Sequence, residues 1–387
     1  MMRSALRTTI IGGSNTVMQP GYLGQLVTMS AQRGVPLEIV ADLAIGGTTS
    51  AFGLYQLKTS AALEQSDLLL IEYVINDAFI YGDERRQFRH WARLYEGIIR
   101  HALARNPKLR ICTLIFGARN GSWLSSVPAI DAGIHYISDY YGTDCIDLSR
   151  ALMRRFGREV VSDAGFYADQ GHYARPVVTG LVADLAAEAI QRLAAGRWQE
   201  MPTAGLPPAI DPDHFAAAEV IDAATLFAAA RDAGMAAYHN RRFSLDAVDL
   251  AEHEVSLTLE GGLLLGIFHV SEPQTAPLAL YRNEMGYACS LLKGGVRDGK
   301  FKFLAAMLPC EFLYGADLLK PLGVETIRLG RAMAGDALKP HIAKDNVAQD
   351  AAAESSQRLP LMGILHSGKR LDLAIRRRDT GAALAAE

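Results

Sequence analysis

The sequence predicts an α/β domain followed by a smaller β-rich domain. Residues 8 to about 196 alternate short apolar runs with helical patterns, which is typical of a parallel sheet covered by helices. Beyond residue 213, apolar runs are separated by Gly, Pro and Asn turns without regular helical crossovers, which favours an antiparallel, sandwich-like arrangement. Four prolines fall between residues 200 and 212. We therefore place an α/β domain at 1–198, a linker at 199–213 and the β-rich domain at 214–387.

Most predicted strands of the first domain are continuous apolar runs, as expected for strands buried on both faces. They are Thr8–Ile11, Leu37–Leu43, Leu68–Ile75, Leu109–Ile115 and a brief Asp144–Ile146. The longest helix is expected over Asp83–Ala104, where apolar residues recur at helical spacing. The last helix is expected over Pro176–Ala195, with proline in its first turn and Gly196 after it.

The second domain is expected to begin with a helix over Ala216–Ala233 and to continue as strands bounded by turn residues. The predicted strands are Glu254–Leu259, Leu263–Val270, Leu278–Arg282, Ala288–Leu292 and Phe301–Leu308. Near the end, Leu361–Leu365 and Leu371–Ile375 are predicted to form a closing hairpin across Ser367-Gly368-Lys369.

Composition excludes several classes of function. Half of the 387 residues are hydrophobic, 21% are charged and the formal net charge is -3, which gives no general attraction to nucleic acid or acidic membranes. No apolar run approaches the roughly 18 residues of a membrane span. The four scattered cysteines have no metal-binding spacing and indicate a reducing compartment. Because the N-terminus also lacks the pattern of a secretory signal, we expect a cytoplasmic location.

The first strand ends in Gly12-Gly13-Ser14, which puts a hydroxyl at the carboxyl end of a strand, where α/β folds place chemistry. The glycines permit a sharp turn, and the helix that follows points backbone N–H groups at a developing oxyanion. A plain strand-to-helix turn with a capping serine is the alternative. Further on, Asp169-x-x-His172 could supply an acid and a base for that hydroxyl, with Asp163 as a rival carboxylate. Such a pair is also common on solvated surfaces.

Two further loops end strands with groups that can donate to negative charge. Gly47 follows the second strand, and its N–H can approach a ligand closely, although a βα turn with Thr48 or Thr49 capping the next helix is the alternative. Asn76 ends the third apolar run and offers its amide, although an Asx turn is common there. Glu72 is expected on the same strand face as Asn76, either as a buried support or as a helix-facing contact.

Taken in chain order, Ser14, Gly47, Asn76 and the Asp169/His172 pair resemble the blocks of the SGNH (GDSL-type) hydrolase family over residues 8–196. The resemblance implies a flavodoxin-like three-layer fold, no metal or other cofactor, and hydrolysis of esters, often O-acetyl groups on carbohydrates. It implies that Ser14 is the nucleophile, His172 the base and Asp169 its orienting acid. It also implies that the backbone N–H groups of Ser14 and Gly47 and the Asn76 amide form the oxyanion hole.

The chain departs from the family pattern at two positions. Gly13 stands where the family has aspartate, and Val74 where it has glycine. Neither change removes a proton-transfer group or an oxyanion donor, so the hypothesis is a serine esterase acting on an acylated carbohydrate or small ester. An O-acyltransferase with the same triad and a degenerate module that binds a glycan or a partner remain alternatives. For the β-rich domain, the open roles are glycan binding, covering the cleft and homo-oligomer formation.

Overall fold

A computed structural model describes residues 4–83, 88–119, 128–199, 205–320, 322–343, 345–349 and 357–378. The chain divides into two compact units, Met1–Ala217 and Ala218–Glu387. The start of the predicted Asp83–Ala104 helix lies partly outside the described residues, as does part of the predicted linker.

The first unit alternates strands and helices. Its described strands are β1 (Leu6–Gly12), β2 (Leu37–Asp42), β3 (Leu68–Glu72), β4 (Arg110–Ile115) and β5 (Asp144–Asp147). Its described α-helices are α1 (Ser14–Val17), α2 (Tyr22–Gln32), α3 (Ser50–Thr59), α4 (Val74–Asp83), α5 (Phe88–Arg105), α6 (Ala129–Tyr141), α7 (Leu148–Phe156), α8 (Arg158–Ser162) and α9 (Val177–Ala195). Short 3₁₀ turns occupy Ala62–Gln65, Ala164–Phe166, Arg197–Gln199 and Phe215–Ala217.

The strands of the first unit form a parallel sheet in the order β2-β1-β3-β4-β5. The direction of winding reverses between β1 and β3, and in open α/β sheets ligands commonly bind at such a point, outside the carboxyl ends of the strands. Strand β3 is buried along its whole length, and β1 and β4 are buried except at their first residues. The predicted α/β fold class, with a β-rich second part, is confirmed.

The third predicted strand is too long, because β3 ends at Glu72 and α4 begins at Val74. The apolar run crosses this boundary without a break, so periodicity alone could not locate the change from strand to helix. Asp77 lies in the first turn of α4, where its negative charge favours the helix N-terminus. Val74 and Asn76 therefore lie on a helix and do not share a strand face with Glu72.

Residues 205–217 pack along α5 within the first unit. The Asp211 carboxylate accepts hydrogen bonds from Arg89 Nε at 2.6 Å and from Arg93 Nε at 3.0 Å. The Glu96 carboxylate of α5 accepts hydrogen bonds from the backbone N–H groups of Ile210 and Asp211, at 2.7 and 3.0 Å. The described part of the predicted linker is therefore held mainly by charged and backbone contacts to α5, and the Tyr140 hydroxyl of α6 also donates to the Pro208 carbonyl at 2.9 Å.

The second unit is built mainly from strands. Those described are β6 (Glu219–Asp222), β7 (Gly234–His239), β8 (Ser244–Asp249), β9 (His253–Glu260), β10 (Leu264–Ser271), β11 (Leu278–Arg282), β12 (Met285–Cys289), β13 (Leu304–Pro309), β14 (Val324–Arg331), β15 (Lys339–His341), β16 (Pro360–His366) and β17 (Lys369–Arg377). Helices α10 (Ala223–Ala229) and α11 (Gly294–Arg297) are short, and 3₁₀ turns occupy Glu311–Leu313 and Gly315–Asp317.

These strands form two sheets, each with six strands among the described residues. One has the order β13-β10-β16-β8-β7 with β6 also paired to β16, and the other has the order β15-β12-β11-β14-β9-β17. Every pairing is antiparallel except that of β12 with β15. The core is supplied by apolar positions such as Leu257 on β9 and Ile267 and Phe268 on β10, all 0% exposed.

Two expectations for the second unit are wrong. The alanine-rich stretch 216–233 contains β6 before α10, because the Asp222 side chain accepts the Thr225 N–H at 2.8 Å and starts the helix only there. Strands β16 and β17 do not form a hairpin, because β16 pairs with β10 and β17 with β9 in the other sheet. The chain passes between sheets at Gly368, whose φ of +72° favours glycine.

All four cysteines are free thiols. Among the described residues, no helix combines the length and apolarity that a membrane crossing requires. Over the same part of the chain, no group of three or more His, Cys, Asp and Glu side chains is arranged to hold a metal ion.

Candidate active site

The turn after β1 is fixed by close backbone contacts. The Gly13 N–H donates to the Glu72 carbonyl at 2.9 Å, and the Ile45 N–H donates to the Gly12 carbonyl at 3.0 Å. A Cβ on Gly12 would lie 3.2 Å from the Glu72 carbonyl oxygen, so this position leaves little room for a side chain. Ser14 follows as the first residue of α1 and is half-buried at the carboxyl edge of the sheet.

His172 lies within hydrogen-bonding distance of both Ser14 and Asp169. Its Nε2 is 2.7 Å from Ser14 Oγ, and its Nδ1 is 2.7 and 2.8 Å from the two carboxylate oxygens of Asp169. With Nδ1–H donating to the carboxylate, Nε2 is free to accept the serine proton. The three side chains predicted as nucleophile, base and acid are therefore brought together in the order that this chemistry requires.

The carboxylate of Asp169 is held in its ionised form. Partial burial acts to raise its pKa, but hydrogen bonds from the Gly171 N–H and from His172 outweigh burial, and the net shift of the pKa is downward. The Gly171 N–H donates to Asp169 Oδ1 at 2.9 Å. The rival carboxylate, Asp163, caps the 3₁₀ turn at Ala164–Phe166 through the Gly165 N–H.

Asn15 connects the two loops that carry the triad. Its Nδ2 donates to the Gly171 carbonyl at 3.0 Å, and the asparagine is only 6% exposed. This bond joins the residue after Ser14 to the residue before His172. Sequence reasoning missed Asn15, although a polar residue directly after the predicted nucleophile was a signal for it.

The two remaining oxyanion candidates lie beside the nucleophile turn. A Cβ on Gly46 would lie 3.7 Å from Ser14 Cβ, so the loop after β2 passes close to the serine. Gly47 follows with a φ of +74°, a conformation that favours glycine. Asn76 lies in the first turn of α4, and a Cβ on Gly13 would collide with its Oδ1 and come within 2.9 Å of its Nδ2. The Asn76 amide therefore lies against the glycine that precedes Ser14.

A buried polar cluster lies beneath α1. The Thr16 hydroxyl donates to Glu72 Oε2 at 2.9 Å, and the Tyr22 hydroxyl, 3.0 Å from Thr16 Oγ1, then donates to Thr16. Glu72 is 1% exposed. Burial raises the pKa of Glu72 to about 8, although hydrogen bonds from Thr16 and Gly13 act in the opposite direction. The carboxyl group is therefore mostly protonated at neutral pH, and it holds α1 against the end of β3.

Asp77, the residue after the oxyanion candidate Asn76, accepts hydrogen bonds from two neighbouring helices. Its Oδ1 accepts the Ser50 N–H at the start of α3, and its Oδ2 accepts the Trp91 Nε1–H on α5, both at 2.9 Å. Burial raises its pKa to about 6. These bonds fix the orientation of α4 and, with it, the position of Asn76.

No family model matches the chain, and a search of curated proteins found no significant sequence match. Among solved structures, the chain is similar to a two-domain esterase (CEX) active on acetylated mannans, co-crystallized with mannopentaose. The identity is 14%, the TM-score is 0.59, and the match covers 94% of this chain and 92% of that one. A second structure of a two-domain esterase (CEX) active on acetylated mannans matches at 14% identity and a TM-score of 0.50, covering 95% and 92%. The chain therefore shares its fold, over both of its units, with these two-domain structures.

Proposed function

We propose that this protein is a serine esterase that removes acyl groups, in particular O-acetyl groups, from a carbohydrate. The observation that carries the proposal is the contact of Ser14 Oγ with His172 Nε2 at 2.7 Å, with Asp169 on the opposite nitrogen of the ring. A serine hydroxyl becomes a useful nucleophile when a base of this kind is in place.

In the first half of the reaction, Ser14 Oγ attacks the ester carbonyl carbon while His172 Nε2 takes the hydroxyl proton. The carbonyl oxygen becomes an oxyanion, which the N–H groups of Ser14 and Gly47 and the Asn76 amide stabilise. Loss of one such donor typically costs about 2.7–4 kcal/mol of barrier. When the tetrahedral intermediate collapses, the bond to the sugar oxygen breaks, and His172 returns the proton to that oxygen. The acyl group remains on Ser14.

In the second half, a water molecule attacks the acyl-serine while His172 takes one of its protons. The acid is released when the bond to Ser14 Oγ breaks and His172 returns the proton to the serine. Asp169 stays ionised throughout and stabilises the imidazolium that forms twice in each cycle. The downward shift of its pKa suits this role.

The proposed substrate class is an acetylated polysaccharide of the mannan type. The support for it is that the similar solved structure is an esterase active on acetylated mannans and spans both units of this chain. An uncharged substrate such as an acetylated glycan is also compatible with the small net charge of this protein, which is -3.

The test measures acetate release from acetylated mannan and from a chromogenic acetyl ester. We expect Ser14→Ala and His172→Ala to lose nearly all activity, while Asp163→Ala, which changes a carboxylate on the same loop, keeps it. A fluorophosphonate probe should label the wild type and not Ser14→Ala. Full acetate release by Ser14→Ala would refute the mechanism.

The same assays separate the alternatives. An acyltransferase would form product only when a sugar acceptor is added. A degenerate binding module would bind the acetylated glycan without labelling or acetate release. Hydrolysis of the chromogenic ester without hydrolysis of acetylated mannan would leave the esterase in place and refute the substrate class.

A further inference from the structure

A concave site apart from the candidate active site lies in the first unit, at the edge of the sheet formed by β5. Its volume is about 650 Å³, within the range of roughly 300–1,000 Å³ that small-molecule sites occupy. Its lining includes β5 residues and apolar residues of α9, namely Cys145, Ile146, Leu185, Ala189 and Leu193. Neither Ser14, Asp169 nor His172 lines it, so it is separate from the candidate active site.

The walls of this cavity carry an excess of positive charge. Five arginines line it, from α7, from α9 and from the turn that follows α9: Arg150, Arg154, Arg155, Arg192 and Arg197. Three carboxylates face them. Arg150 pairs with Asp147 at 3.1 Å. Glu188 pairs with both Arg155 and Arg192, at 3.3 and 2.5 Å. Arg197 pairs with Asp144 at 3.1 Å.

Arg154 has no ion pair among the described residues, and it is exposed at the cavity wall. Arg150 and Arg154 are four residues apart on α7, so both project from one helix face toward α9. The chain as a whole carries a net charge of -3, so this excess is local. Guanidinium groups facing each other across a cavity repel, and an anion between them removes that repulsion while accepting paired N–H donors.

The lining of the cavity also includes a thiol and an imidazole. Cys145 Sγ is 3.1 Å from His135 Nδ1, and His135 Nε2 is 3.4 Å from Asp147 Oδ2. Thiol, imidazole and carboxylate follow one another as they do around a cysteine nucleophile. However, burial and the carboxylates of Asp147 and Asp144 raise the pKa of Cys145 to about 11. The thiol is therefore protonated at neutral pH, and the cavity has the chemistry of a binding site and not of a second catalytic centre.

We propose that this cavity binds a small multivalent oxyanion, whose phosphate or carboxylate groups bridge the arginines of α7 and α9. The size of the cavity favours a small molecule over a polymer, and the excess guanidinium charge favours a ligand with at least two negative charges. The site does not depend on the esterase proposal.

Cys145 provides a built-in reporter of occupancy. The other cysteines, Cys112, Cys289 and Cys310, are each 0% exposed, whereas Cys145 lines the cavity and is half-buried. N-ethylmaleimide should therefore modify Cys145 first, and mass spectrometry gives the rate. Mildly alkaline buffer is needed because the thiol has a raised pKa. We expect pyrophosphate or citrate, at constant ionic strength, to slow the modification in a saturable way.

Arg154→Ala should raise the concentration needed for half-protection about tenfold, as expected for loss of one charge-assisted contact. Arg158→Ala is the matched control, because Arg158 is an exposed arginine on α8 that does not line the cavity. It should leave the half-protection concentration unchanged. Isothermal titration calorimetry with the same probes and variants gives an independent reading if Cys145 reacts too slowly.

Each outcome decides the proposal. Protection by pyrophosphate alone identifies phosphate groups as the ligand chemistry, and protection by citrate alone identifies carboxylates. Neither protection nor a binding signal from either probe at millimolar concentration would overturn the site. Equal weakening by Arg154→Ala and Arg158→Ala would overturn it as well, because binding would then depend on overall charge.

Discussion

Replacing Glu72 with glutamine should make the free energy of unfolding of the first unit less dependent on pH. Glu72 is 1% exposed, and burial raises its pKa from the ordinary value of 4.5 to about 8. A carboxyl group whose pKa is higher in the folded state binds its proton more tightly there than in the unfolded chain. Stability is therefore lost as the pH rises from the unfolded pKa toward the folded pKa.

The magnitude follows from the width of that interval. Between pH 4.5 and about pH 8 the folded protein holds a proton that the unfolded chain releases. The free energy of unfolding then falls by about 1.4 kcal/mol per pH unit, or roughly 4–5 kcal/mol over the interval. A typical domain has only about 5–15 kcal/mol in total. Glutamine cannot ionise, and its carbonyl can still accept the Thr16 hydroxyl, so the variant escapes this loss.

Chemical denaturation followed by tryptophan fluorescence measures the effect. The three tryptophans of the chain, residues 91, 123 and 198, all fall within the first unit, so their emission reports that unit. As the pH rises from about 5 to about 8, we expect Glu72→Gln to become more stable relative to wild type. Its unfolding free energy should gain about 1.4 kcal/mol per pH unit over that of wild type. Asp77, whose pKa burial raises to about 6, titrates in the same direction in both proteins, and its charge is one of the causes that raise the pKa of Glu72.

Glu159→Gln is the control, because Glu159 is an exposed glutamate of the same unit. This variant shows how the free energy of unfolding changes when an exposed carboxylate is converted to an amide. A difference between Glu72→Gln and wild type that stays constant from about pH 5 to pH 8 would refute the reasoning, since it would mean that the buried carboxyl group is not protonated in the folded state.

Three further substitutions test the candidate site. Gly13→Ala should lower kcat about 10²–10³-fold by displacing Asn76, a proposed oxyanion donor, whereas Gly24→Ala, where a Cβ meets nothing within 4 Å, should leave kcat unchanged. Asn15→Ala should leave a buried carbonyl unpaired, reduce stability by about 1–3 kcal/mol in thermal unfolding and lower kcat with little change in KM. Asp169→Asn should lower kcat about 10²–10⁴-fold, as expected when the imidazole loses its orienting carboxylate. Asp163→Asn should change kcat little, and the reverse ranking would overturn the assignment of the acid.

The regular parts of the first unit were predictable because local patterns determine them. Buried parallel strands appear as continuous apolar runs, and the helix over residues 177–195 lies between a proline and a glycine. The end of β3 was not predictable, because the apolar run continues from the strand into α4. For the same reason, the sequence suggested a strand end for Asn76, which lies in the first turn of a helix.

The second unit was less predictable, because its strand pairings join distant parts of the chain. Strands β16 and β17 are separated by only two residues, a spacing typical of a hairpin, yet each pairs with a partner about a hundred residues earlier and in a different sheet. Burial of β16 along its whole length and pairing of β17 with β9 decide this arrangement, and neither can be deduced from the turn residues.

The sequence by itself determined which residue types are available for the proposed acyl transfer, since hydroxyl, imidazole and carboxylate groups can be identified without coordinates. Only the tertiary structure decided that Ser14 and His172, 158 residues apart, lie 2.7 Å from each other. It also decided that Asn15 joins their loops, that Glu72 is buried with a raised pKa, and that five arginines converge on one cavity. The physical reason is that distances and burial depend on the packing of elements remote in sequence, whereas the chemistry of a side chain is a local property.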